Sequence, residues 1–403
     1  MRFVLVSTHI DQTTGYSKVA ANLLKQVASL SPKVKTFHFG FQRHPERKGM
    51  RKAPEGIIQY DAAANEDPKE EGFGFNKINE YLETVTPDVV MIYNDPLIVC
   101  KFLDAMKTRP FKVWVYLDQV YMGIAHPLMD KIAESVDRVY CFTDEWKKVY
   151  LTYPKVVQDV RVLEHAVDPT IFSNLPREVR DELRIKMNVP RDGVVFLNAN
   201  RNSQRKRLDL TIQAFVRMLA KNPTLPLYLM IVTNINPQAG AWYDVSRIYG
   251  DALAAAGLPA TNKNLLLVDT APPNALTDET INHIYNVCDI GINTGDGEGF
   301  GLCQLEHMYT GAPQVVTDVG SYRSFLGEAV ADIVPAQRDR TYMAGSMPLG
   351  LSTPVFLVDD IVEAMISSVK RLPERRTALK SYEFKTWASI CKGWLNDLHQ
   401  EST

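Results

Sequence analysis

The chain has 403 residues, too many for one ordinary core and suited to two domains of typical size. Apolar residues make up 45% and charged residues 23%, a globular balance, and the formal charge of −2 lacks the basic field that nucleic-acid binders carry. The opening run MRFVLVSTHI is too short to span a bilayer and lacks a basic leader, and no later stretch approaches the roughly 20 apolar residues a span needs.

In chain order, short β-rich runs alternate with amphipathic segments. Strands are predicted at 2–8 (RFVLVST), 36–40, 89–94 (VVMIYN), 112–117, 138–143 and 160–163, with helical patterns such as 18–30 and 75–85 between them. Most of these runs are continuously apolar, as in a sheet buried on both faces, so parallel βαβ units in a doubly wound sheet are expected. The pattern pauses at 164–180 and resumes, with strands at 194–200 (VVFLNAN), 227–233 (LYLMIVT), 264–269, 290–293 (IGIN), 314–318 and 355–359 (VFLVD). This predicts an α/β protein of two Rossmann-like domains, 1–172 and 173–378, whose ligand lies beyond the carboxyl ends of the strands in the cleft they face. The final segment, 379–403, carries a helical stripe of Trp387, Ile390, Trp394 and Leu395 that predicts docking. Segments 42–56, 64–74 and 336–354 break the pattern and read as solvated loops, or alternatively as loops that line the cleft or select an acceptor. The five cysteines form no CxxC pair and read as small buried hydrophobes in a reducing, cytoplasmic setting.

The most informative stretch is 289–321, DIGINTGDGEGFGLCQLEHMYTGAPQVVTDVGS. A buried strand enters a loop with Gly297, Gly299 and Gly301, which permit close backbone approach to a ligand. Amides around Phe300–Cys303 then open a helix, whose N-terminus carries partial positive charge suited to a phosphate or sugar oxygen. The segment 198–215, NANRNSQRKRLDLTIQAF, supplies cations after another strand, Arg201, Arg205, Lys206 and Arg207, with a solvated basic turn as the alternative reading for Arg205 and Arg207. Neither G-x-G-x-x-G after the first strand nor a P-loop is present, so dinucleotide and P-loop sites are disfavoured.

Glu298, the turn Gly299–Phe300–Gly301–Leu302 and Glu306 resemble the signature of the retaining GT-B glycosyltransferases, specifically glycosyltransferase family 4. That resemblance implies a GT-B fold, with the C-terminal helix returning to the first domain. It implies that Glu298 contacts donor sugar hydroxyls, that Glu306 binds the nucleotide ribose, and that Arg201 and Lys206 neutralise the diphosphate. A carboxylate suits ribose because it accepts two charge-assisted hydroxyl hydrogen bonds. Thr233, Asn234 and Asp269 fall where the nucleobase is expected, with helix or turn capping as the alternative for each. In the first half, Gly15 opens the first long helix beside the expected donor diphosphate, and Asp118 is the candidate for contacting acceptor or sugar. His126 reads as a loop histidine, and His165 as a diphosphate contact or part of a hinge.

The resulting expectation is a retaining, metal-independent hexosyltransferase that uses a nucleotide-diphosphate sugar and a glycan or small hydroxyl acceptor. No cofactor is expected, since no convincing Asp-x-Asp follows a strand; GDP-mannose is the favoured donor, with UDP-sugars close behind. Basic and acidic residues balance over 1–172, which leaves at most weak membrane association. The alternatives are a nucleotide-sugar epimerase on the same fold and a non-catalytic nucleotide-sugar sensor.

Overall fold

The computed structural model describes residues 1–45, 51–341 and 352–401. Two compact units divide the chain: one comprises Met1–Asp168 with the stretch from Lys385 onward, the other Pro169–Arg340 with Thr353–Phe384.

The first unit is built on seven strands: β1 (Arg2–Thr8), β2 (Lys35–Phe41), β3 (Ile58–Asp61), β4 (Val89–Asn94), β5 (Lys112–Leu117), β6 (Arg138–Cys141) and β7 (Asp159–Val162). Their order is β3-β2-β1-β4-β5-β6-β7, and every pairing is parallel. The continuously apolar runs are buried along almost their whole length, as both-face coverage demands. β3 was not foreseen: its residues are exposed or half-buried, so an edge position leaves no apolar signature.

The second unit holds β8 (Val194–Asn198), β9 (Leu227–Thr233), β10 (Leu265–Asp269), β11 (Ile290–Asn293), β12 (Gln314–Thr317) and β13 (Ala331–Val334). The order is β10-β9-β8-β11-β12-β13, again wholly parallel. Its core joins Phe196, Ile231, Ile290 and Ile292 of the sheet to Leu208, Ile212 and Phe215 on one face of the Leu208–Lys221 helix. Each such side chain contributes roughly 1.5–3 kcal/mol on burial.

One predicted strand is corrected. VFLVD (355–359) is not a strand: β14 (Arg338–Thr341) pairs with β15 (Ser352–Val355) in a separate two-stranded sheet, and a helix, Val358–Lys370, begins within the run. A four-residue apolar run has no period of its own, and here it belongs partly to the amphipathic helix that follows. The segments 42–56 and 336–354 lie partly outside the described residues.

The helix Trp387–Gln400 belongs to the first unit. Trp387, Trp394, Leu395 and also Cys391 and Leu398 are buried, whereas Ile390 is only partly so. Trp394 meets Phe3 edge-on at 5.8 Å, and the Tyr140 hydroxyl donates to Asp397 at 2.7 Å. Thr386 and Ser389 close a capping box at its start. The cysteines are free thiols, four of them buried. Among the described residues, no helix is long and apolar enough to cross a membrane.

Candidate active site

Each parallel sheet reverses its strand order once, between β1 and β4 in the first unit and between β8 and β11 in the second. Loops leaving the carboxyl ends of two such strands diverge in opposite directions and open a crevice. In the second unit, Lys206 follows β8 and Glu298 follows β11, so the principal predicted residues sit on these two loops.

Asparagines link the strand ends. Asn200 Nδ2 donates to Asn198 Oδ1 at 2.7 Å, and Asn293 Nδ2 reaches Asn200 Oδ1 at 3.4 Å. A 3₁₀ turn, Gln204–Lys206, then turns Lys206 toward the second loop, where its Nζ forms an ion pair with Glu298 Oε2. Arg205 Nη1 lies 3.7 Å from Glu298 Oε1 and donates to the Gly297 carbonyl. Asn293 Nδ2 donates to Glu298 Oε2 at 3.2 Å. Only 9% of the Lys206 side chain and 12% of the Glu298 side chain are exposed, so this pair is largely desolvated. Burial alone would raise the Glu298 carboxyl, but Lys206 and then Arg205 outweigh it and hold it below the usual carboxylate range. Burial lowers the Lys206 ammonium; Glu298 partly restores it, and Arg205 lowers it again.

The glycine loop is gripped from both sides. Gly320 has φ +58°, and a side chain there would collide with the Glu298 carbonyl. Ser321 Oγ donates to the Gly299 carbonyl at 2.7 Å. Phe300 is buried and stacks on Phe325 with ring centroids 5.0 Å apart, which anchors the loop by its side chain. Gly301, at φ +95°, turns the chain into the Leu302–Tyr309 helix, and a side chain there would strike the Tyr322 ring. Helix geometry leaves the first amides from Leu302 onward without intrahelical acceptors, beside the Lys206–Glu298 pair's loop. Glu306, 2% exposed, accepts the Tyr285 hydroxyl at 3.2 Å.

Other predicted residues have different surroundings. Arg201 is exposed on the turn after β8. Arg207 adopts φ +45°, a left-handed conformation costing a non-glycine residue roughly 1–2 kcal/mol. Its carbonyl accepts Thr294 Oγ1 at 2.8 Å, and its guanidinium grips Asp209 at 3.0 and 2.9 Å. Thr233, Asn234 and Asp269 hold loops: Thr233 Oγ1 donates to Asn200 O at 2.7 Å, Asn234 Nδ2 to Ala239 O at 2.7 Å, and Asp269 Oδ1 accepts Ala271 N at 2.9 Å.

In the first unit, Gly15 begins the Gly15–Leu30 helix and is exposed, with no protein atom near the position a side chain would take. Tyr16, next in the helix, donates its hydroxyl to Asp118 Oδ2 at 2.5 Å and packs on Tyr93 at 5.2 Å. Asp118 follows β5, one strand from the reversal point. His165 sits in a box of Tyr93, Tyr116, Phe142 and Trp387 rings, which ties the connector to the C-terminal helix. His126 begins the His126–Ser135 helix and meets Tyr153 edge-on.

Sequence reasoning missed Gly320, Ser321 and Tyr322, and left Arg205 undecided. Tyr322 is fully buried, accepts from Asn293 at 2.7 Å and donates to Gln304 at 3.0 Å. Their signal, DVGSY straight after β12, repeats the strand-then-glycine pattern already noticed at 289–301.

Burial also predicts a pH response. His307, stacked on Tyr285 at 5.3 Å, is pushed down to about 3 by desolvation, and His38 in the first unit likewise. Between about 6.5 and 3 the unfolded chain binds these protons and the folded one does not. Stability therefore falls as pH drops through that window, by roughly 1.4 kcal/mol per pH unit for each histidine. Thermal melts should show a lower Tm at about pH 5 than at pH 7, and an equal Tm would contradict the neutral burial of these rings.

No protein-family model matches the chain. It is 24% identical to the D-inositol 3-phosphate glycosyltransferase of Streptosporangium roseum over 211 residues, which are 52% of this chain and 46% of that protein. The chain spans about half the length of the curated relatives it matches. Among solved structures, the sucrose-phosphate synthase of Thermosynechococcus elongatus aligns with TM-score 0.74 and 15% identity over all of both chains. Anabaena HepE in complex with UDP-glucose aligns with TM-score 0.68 and 10% identity, over 99% of this chain and all of the other. The chain thus has the fold of the GT-B glycosyltransferases, as the residues around Glu298 led us to expect. In sequence it is similar to the D-inositol 3-phosphate glycosyltransferases.

Proposed function

We propose that the protein transfers a hexose from a nucleotide-diphosphate sugar to a hydroxyl acceptor, with the donor diphosphate held at the β8/β11 crevice. The observation that carries this reading is the cationic pair Lys206 and Arg205, converging on Glu298 beside a helix amino end. Charge builds up on a departing diphosphate, and preorganised cations and helix amides stabilise it without reorganising. Glu298 would accept sugar hydroxyls, Glu306 the ribose, and Arg201 would close over the phosphates from its exposed position. Asp118, held by Tyr16, would face the acceptor or sugar. We further propose retention of configuration and a reaction that needs no divalent ion, the cations taking that role. The family resemblance favours GDP-mannose, whereas the similarity to HepE, solved with UDP-glucose, favours a uridine donor.

A thermal-shift screen of UDP-glucose, GDP-mannose and ADP-glucose, with chelator present, tests this. The true donor at about 100 times its Kd should add roughly 2.7 kcal/mol of stability, and NMR of the first transfer product should show a retained anomer. Absence of stabilisation by all nucleoside diphosphates and their sugars would contradict the reading.

A further inference from the structure

We propose that Glu298 is a built-in anion occupying the cationic pocket of the donor-free protein, so that the site selects a sugar-bearing nucleoside diphosphate over the bare diphosphate. This rests on the donor-site reading above and adds a preference that the reading does not itself contain.

The pocket's two cations already face a carboxylate: Lys206 Nζ pairs with one oxygen of Glu298, and Arg205 lies 3.7 Å from the other. The main chain around Glu298 is fixed, so that only its side chain can swing away: the Gly320 backbone abuts its carbonyl, Arg205 binds the carbonyl before it and Ser321 binds the one after it. A diphosphate must therefore compete with Glu298 for Lys206. When it succeeds, a largely buried carboxylate loses its main counter-charge and retains Asn293 and the flank of Arg205. Removing one member of a buried pair leaves an uncompensated charge, which is strongly unfavourable. Sugar hydroxyls cancel that penalty by donating to the displaced carboxylate; a bare diphosphate has no hydroxyl to offer there. The pair thus favours the donor over the spent nucleotide and speeds product departure.

The test is calorimetric binding of inorganic pyrophosphate and of the UDP/UDP-glucose and GDP/GDP-mannose pairs to wild type and Glu298→Gln, at one ionic strength. Gln keeps the shape and the Asn293 contact but removes the charge. The bare diphosphates should bind the variant at least tenfold more tightly than wild type, and the preference for sugar-bearing over bare ligand should shrink at least tenfold. Unchanged affinity for bare diphosphates, or an unchanged preference, would overturn the proposal while leaving the donor site in place. Should Glu298→Gln fail to fold, Lys206→Met/Glu298→Gln removes both charges together: loss of the wild-type preference supports the proposal, and its retention overturns it. A wild-type protein that binds none of these ligands overturns the donor-site reading and this inference with it.

Discussion

Replacing Lys206 by Met should lower kcat/KM for the nucleotide sugar that stabilises the protein by about 10²–10³-fold, the cost of losing one preorganised charge donor. Lys206 is the only member of the predicted site whose side chain is both buried and paired to Glu298 across 92 residues of sequence. Met preserves the stem that fills the space beneath the loop, and Arg205 with Asn293 still faces Glu298. The buried Glu298 nonetheless loses its main counter-charge, so Tm should fall as well, and the turnover defect is read at a temperature where the melt shows the variant folded. Steady-state kinetics on the variant, with a melt as control, decides the matter; a loss below about threefold would remove Lys206 from the mechanism.

The second large effect concerns what holds the crevice in place. Asp289 precedes β11 and ties three elements together. It accepts Arg184 Nη2 at 2.6 Å, Val195 N at 2.9 Å and Arg376 Nη2 at 2.5 Å. Arg184, 8% exposed, also donates to the carbonyls of Val287, Arg191 and Gly193, so it is fixed where Asp289 meets it. Asp289→Ala strands a buried guanidinium and leaves the Val195 amide without its carboxylate. It should destabilise the second unit by about 3–5 kcal/mol. Hydrogen exchange resolves the two units separately: peptides of β8 and β11 should lose protection while those of β1 and β4 keep theirs. Equal protection in wild type and variant would show that the network is not structural.

Much of this architecture was legible because parallel strands buried on both faces leave continuous apolar runs, as RFVLVST and LYLMIVT do. β3 escaped because a short strand at a sheet edge buries little and needs no such run, and β13 (ADIV) because Asp332 interrupts its short apolar run. VFLVD was misread because four apolar residues before an amphipathic helix carry no period. Glu298 and Lys206 were legible as local patterns, a glycine turn and a basic turn after strands. Their pairing was not, because it depends on two strands becoming neighbours at a reversal of sheet order. The same holds for Arg205 on Gly297, Ser321 on Gly299 and Gly320 against Glu298, all contacts made by distant segments. Arg207 shows the converse: a left-handed residue where glycine would be easier, held by Thr294 and Asp209 contacts that no local pattern announces.

The most direct measurement is a crystal structure of the protein with the nucleotide sugar selected by the thermal screen. The account predicts the β-phosphate within roughly 3 Å of Lys206 Nζ and of the amides opening the Leu302–Tyr309 helix, with Glu298 released onto sugar hydroxyls. A diphosphate bound elsewhere, with the Lys206–Glu298 pair intact beneath it, would contradict it.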